Sequence, residues 1–208
     1  MKKPITEAGS DWKNGFLFLG NQLALDFLNT RPVQNGEVTE LLSDFDALLR
    51  WFHAAELLSR GEVARIQQRW GESSRAIQTL KLARELRETL RKDILAWEAG
   101  AALRRATTDE LNRLMAAHPM RTRLKATRNE TLKERWFETA QPEDLLAPLA
   151  DSAATLFAEV SRERVRKCGE CVLHFHDTSK KGTRRWCSMQ LCGNRSKVAA
   201  YAARQRKA

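Results

Sequence analysis

Every cysteine of the 208-residue chain lies near its end, at Cys168, Cys171, Cys187 and Cys192. Two residues separate the first pair, fifteen lie between the pairs, and four separate the second pair. A two-residue gap lets successive backbone amides wrap an ion as a knuckle with both thiolates turned toward it. A second pair about fifteen residues on supplies the other two corners of a tetrahedron at a modest cost in loop closure. Thiols concentrated in this way, in a chain expected to be cytosolic, point to metal binding rather than to disulfides. Four thiolates suit one zinc ion, with an iron–sulfur cluster as the alternative. They leave no open coordination position, so the expected role is structural. His174 and His176 follow Cys171 closely enough that either could replace a cysteine, although the all-cysteine set is the expected one.

The same region carries the charge. The chain has 36 basic and 26 acidic residues, a net charge of +10. From Arg162 to Ala208 there are 13 cations against 3 acids, and the preceding residues hold 23 of each. A neutral body thus bears a cationic end suited to a polyanion. Lys180, Lys181, Arg184 and Arg185 fall in the spacer between the cysteine pairs, where Gly182 allows a hairpin bend. Arg195, Lys197, Arg204 and Arg206 fall on a terminal helix, for which Gly193 permits a tight turn and Asn194 is the candidate N-cap. At 100° per residue, Val198, Tyr201, Ala202 and Gln205 share one face of that helix, expected to pack on the metal core. Ala199, Ala200 and Ala203 form a smooth strip flanked by cations, a shape suited to a DNA groove.

The body that must position this end reads as helical. Ser43 is a candidate cap for a helix with Phe45, Leu48, Leu49 and Phe52 on one face. Ser59 and Glu62 form a capping-box pair, and Thr107 and Glu110 a second. The longest helix is expected from Ser73 or Ser74 to about Gly100, with a stripe of Ile77, Leu80, Leu86, Leu90, Ile94 and Trp97. Arg121 to Phe137 reads as two short strands joined by a turn. Leu145 to Val165 reads as a last helix with Pro148 in its first turn. Asp26, Asn29 and Arg31 sit beside an apolar run and are candidates for a pocket that takes a small-molecule effector.

With 42% apolar and 30% charged residues, the composition is that of a globular protein. No apolar run reaches the ~18–20 residues of a membrane span, and no signal-peptide stretch follows Met1-Lys2-Lys3. A cytoplasmic protein that avoids membranes is therefore expected. P-loop, dinucleotide-binding, nucleophile-elbow and HExxH patterns are missing, so no enzyme activity is expected. The fold class expected is mainly α with a small β-hairpin element. A helical domain over 1–160 precedes a zinc finger over 161–208, in the treble-clef-like order of knuckle, hairpin and helix.

The run Arg184-Arg185-Trp186-Cys187-Ser188-Met189 followed by Cys192-Gly193-Asn194-Arg195 resembles the CGNR zinc finger family, as does Phe175-x-Asp177-Thr178-Ser179. Asp26-Phe27-Leu28-Asn29-Thr30 and Leu49-x-Trp51-Phe52 are similar to the ABATE domain usually fused to that finger. The resemblance implies that Cys168, Cys171, Cys187 and Cys192 hold zinc and that the chain is a stress-related transcription regulator that binds DNA. Two departures stand out: His174 and His176 fall where apolar residues are typical of the family, and Ala202 where it often has a basic one. The competing functions are an RNA- or ribosome-binding factor and a protein-interaction module with a purely structural zinc. Regulators of this size often act as homodimers.

Overall fold

Asn14-Gly15 lies between two short apolar segments, and both residues take left-handed backbone, at φ 50° and 83°. This is the turn that matches the twist of a tight hairpin, here joining β1 (Trp12–Lys13) to β2 (Phe16–Leu17). The computed structural model describes residues 11–34 and 37–205. Helix α1 (Leu23–Leu28) follows, capped by the Gln22 side chain on the Ala24 N–H at 2.7 Å. A second small hairpin pairs β3 (Val33–Gln34) with β4 (Glu37–Val38).

Helix α2 (Phe45–Ala54) is capped by Asp44, which accepts from the Ala47 N–H at 2.7 Å; Ser43, the expected cap, instead donates to the Asp44 carboxylate. An ionised acceptor at this position also meets the positive end of the helix dipole. The Ser59–Glu62 capping box opens α3 (Arg60–Trp70) as predicted. Ser73 caps α4 (Ser74–Glu98), whose buried stripe is the expected one except for Ile77. Ala76 and Thr79 face the core in its place, which turns Ile77 outward at 64% exposure.

Thr107 does not cap a helix. Helix α5 (Arg105–Ala117) begins before it, and the Thr107 hydroxyl donates to buried Asp93 at 2.5 Å. Arg104 grips the same carboxylate with two nitrogens. Strands β5 (Arg121–Ala126) and β6 (Thr131–Trp136) form the expected antiparallel pair, with Arg121 opposite Trp136 and Ala126 opposite Thr131. A 3-10 turn over Pro142–Leu145 leads into α6 (Leu146–Glu159). This helix stops well short of Val165, because Val165 opens a strand.

That strand, β7 (Val165–Lys167), pairs with β8 (His174–His176), and the chain closes with α7 (Asn194–Gln205). The architecture is mainly helical with small antiparallel hairpins, as the composition and periodicity lead one to expect. Two compact units are present, one over 42–159 and one formed by the residues on either side of it. Segment 11–41, read from the sequence as part of the helical body, thus groups in space with the finger. Among the described residues no helix is long and apolar enough to cross a membrane.

Candidate metal centre and nucleic-acid interface

The first cysteine pair sits in the bend of the β7–β8 hairpin. Strand register puts Lys167 opposite His174, so Cys168 and Cys171 lie in the connection. The Cys168 N–H closes the knuckle on the Leu173 carbonyl at 2.8 Å. The second pair lies where the chain turns helical. The Ser188 hydroxyl accepts from the N–H groups of Gln190 and Leu191, and its carbonyl accepts from those of Cys192 and Gly193. Met189–Gly193 is a π-helical turn that runs directly into α7. Ser188 therefore caps this end, and Asn194 is already helical, at φ −66° and ψ −39°. No tight turn separates the fourth cysteine from the helix.

The four sulfurs lie within 4.8 Å of one another. Cys187 Sγ is 3.7 Å from both Cys171 Sγ and Cys192 Sγ. A regular tetrahedron with metal–sulfur bonds of ~2.3 Å has edges of about 3.8 Å. The set fits one ion, and four thiolates in this arrangement suit a structural zinc. A multi-iron cluster would divide the thiolates among separate irons and need them further apart. Neither His174 nor His176 belongs to the group, so the ligands are the four cysteines.

Protons shared among thiols this close divide them. Hydrogen bonds from Cys171, then from Cys187 and Cys192, hold Cys168 well below the ordinary thiol range, while bonding to Cys168 pushes Cys171 and Cys187 above it. A bound cation lets all four ionise together. Two further donors already face the sulfurs: the Cys187 N–H reaches Cys168 Sγ at 3.3 Å, and Arg195 Nη2 reaches Cys192 Sγ at 3.2 Å. Such donors orient the ligands and spread their negative charge.

The spacer is a loop, not the expected hairpin, and a buried carboxylate organises it. Asp177 accepts from the N–H groups of Ser179 at 2.9 Å and Arg184 at 2.8 Å. Burial alone would raise its pKa, but the bonds from Ser179 and Arg184, with the nearby Arg166 charge, outweigh that and bring it to about 2. Arg164 donates to the carbonyls of Asp177 and Ser179, and Arg166 to that of Gly182. Arg184 is turned inward as well. It lies 4.6 Å over the Phe175 ring and donates to the carbonyls of Trp186 and Cys187.

Of the expected phosphate contacts, Lys180, Lys181, Arg185, Arg195, Lys197 and Arg204 are exposed and Arg184 is half-buried, but Arg184 and Arg195 are both engaged by the finger itself. Arg206 lies outside the described residues. The face of α7 expected to pack on the metal core does not do so: Val198 is 67% and Tyr201 58% exposed. Leu17 and Leu19 have taken that place. They are buried with Leu173, Phe175, Cys168, Cys187 and Cys192, and Trp12 and Cys171 pack against the same cluster.

Asp26 and Asn29 serve this packing. Asn29 bonds to both backbone groups of His174, and Asp26 accepts from the Gly20 N–H at 2.7 Å. Gly20 must lack a side chain, since a Cβ would come within 2.8 Å of the Asp26 nitrogen. Burial pushes the Asp26 carboxyl up to about 6, against the bonds from Gly20 and Leu19 and the charge of Lys13. Arg31 is half-buried. The polar atoms proposed for an effector pocket are thus spent largely on backbone. Sequence reasoning missed Asp11, which accepts from the Ser188 hydroxyl at 2.6 Å; nothing local marks a partner 177 residues away.

Comparison with known families gives two matches. Residues 21–160 match ABATE, described as "Putative stress-induced transcription regulator", and residues 164–205 match the CGNR zinc finger. No curated protein matches the chain.

Proposed function

The chain belongs to the ABATE family, and we propose that it is a transcription regulator that binds DNA through its cysteine-held C-terminal unit. The observation that carries this reading is the exposure of α7. The helix leaves the metal centre directly and none of its described side chains is buried, with Lys197 and Arg204 in solvent. Lys180, Lys181 and Arg185 add exposed cations on the preceding loop. A helix of this width fits the major groove, and cations on its flanks reach phosphates. In this reading zinc performs no reaction and the metal gives a small cationic module its shape. The helical unit over 42–159 takes up the signal or partner.

The test is fluorescence anisotropy on duplex DNA across a salt series. The five finger cations should contribute about −4 to −5 to the slope of log K against log salt. Replacing Lys180, Lys181, Arg185, Lys197 and Arg204 by Gln should flatten it. Displacement of the duplex by a lower concentration of structured RNA would make the chain an RNA- or ribosome-binding factor. A wild-type protein that retains no duplex at low salt would leave the finger as a protein-interaction module.

A further inference from the structure

The β5–β6 ribbon in unit 42–159 is covered on neither face. Every residue of β5 is exposed, and only Glu134 and Trp136 of β6 are partly shielded. A two-stranded ribbon is marginal in water by itself and usually packs a face against something. This one instead leaves Leu124 75% exposed, opposite Lys133.

Its charge is concentrated. Arg121–Trp136 holds six cations and two acids, whereas the rest of residues 1–161 holds 17 cations against 21 acids. The neutral balance of the body therefore hides a basic arm on an acidic support. Several of the cations are held. Arg123 and Lys125 pair with Glu134, Arg121 with Glu138, and Arg135 with Asp151. Arg121 and Arg123 also lie over the Trp136 ring, at 5.8 and 5.3 Å. Arg128, in the turn, and Lys133, on the opposite face from Glu134, have no carboxylate partner among the described residues. The turn is closed by Thr127, which donates to the Glu130 carbonyl through both its N–H and its hydroxyl.

We infer that this ribbon is a second DNA-contacting element, with Arg128 and Lys133 on phosphates, and that the protein grips the duplex with both of its units. The inference rests on the DNA-binding reading of the finger but concerns a different surface. Charge complementarity selects the partner: an arm whose tip and one face carry Arg128 and Lys133, cations without a carboxylate partner among the described residues, fits a polyanion. Six-residue strands give a ribbon about 20 Å long, narrow enough for a major groove about 12 Å wide.

The full-length protein is titrated with duplex DNA across a salt series, as wild type and as the Arg128→Gln/Lys133→Gln variant. Two lost phosphate contacts should reduce the magnitude of the salt slope by about 2 and weaken binding more than tenfold near 0.1 M salt. The Lys81→Gln/Arg105→Gln variant, which removes the same charge from helix surfaces of the same unit, should leave the slope unchanged. Circular dichroism confirms that both variants fold. An unchanged slope in the ribbon variant, with the five-cation finger variant still impaired, overturns this inference alone. A slope reduced equally by the helix-surface variant overturns it too, because the effect would be net charge. A wild type that binds no duplex overturns both readings. A ribbon variant that alters the oligomeric state in sedimentation, with the slope unchanged, makes the ribbon an interface between copies.

Discussion

The Asn29 carboxamide pairs with the backbone of His174 in both directions, donating to its carbonyl and accepting from its N–H, each at 2.9 Å and across 145 residues of sequence. It satisfies two buried backbone groups on β8. Asn29→Ala removes both bonds, at a cost of about 3 kcal/mol. Chemical denaturation should show the loss, and chelator should strip the metal from the variant faster than from the wild type. An unchanged stability would mean that water replaces the side chain without cost.

Cys187→Ser removes the sulfur that lies 3.7 Å from two of its fellows. Elemental analysis should give about one zinc per wild-type chain and none in the variant. Amide exchange should then be fast in β7, β8 and segment 11–34, while helices α2 to α6 stay protected, since that unit holds none of the ligands. Full metal content in the variant would remove Cys187 from the ligand set.

Arg195 donates to a ligand sulfur, and its contribution should appear in metal affinity. Arg195→Gln should weaken zinc binding by about 10–100-fold, the usual effect of removing a group that supports a ligand, measured by competition with a chromogenic chelator. The salt slope for DNA should not move. The reverse pattern, a lower slope with unchanged zinc affinity, would assign Arg195 to phosphate.

Asp26 gives the fold a pH dependence of definite sign. Its carboxyl rises from 3.8 to about 6 on folding. The folded state therefore holds the proton more tightly than the unfolded chain does. The stability this provides is complete below pH 3.8 and is lost as pH rises through about 6, up to about 3 kcal/mol in all. Asp26→Asn keeps the acceptor for Gly20 without the charge. Between pH 4 and 7 the melting temperature of the zinc-loaded variant should rise relative to that of the wild type. Thiolate protonation is common to both and cancels in the difference. Two parallel curves would refute the assignment.

Local signals were readable in the sequence. Cysteine spacing alone located the metal centre, because two- and fifteen-residue gaps bring the sulfurs together with little help from the rest of the chain. The Ser59–Glu62 box worked for the same reason: its two partners lie within one helical turn. Periodicity failed where a competitor for burial came from far away. It gave α7 an apolar face but could not say that Leu17 and Leu19 already occupy the core that face was meant to cover. It paired Thr107 with Glu110, three residues on, where the real partner is Asp93 on the preceding helix. The roles of Asp26 and Asn29 were hidden similarly, since a polar residue beside an apolar run looks the same whether it meets a ligand or a distant strand.

The interleaving of segment 11–34 with the finger has a consequence for biosynthesis. At ribosomal speeds of roughly 5–20 residues per second, Asn29 is made about 7–30 s before His174 emerges to meet it. The central unit can fold during that interval, while the opening hairpin and α1 wait with their apolar side uncovered. Metal capture must then wait for Cys192, and a shortage of the ion would leave Leu17 and Leu19 uncovered along with the cysteine cluster they pack against.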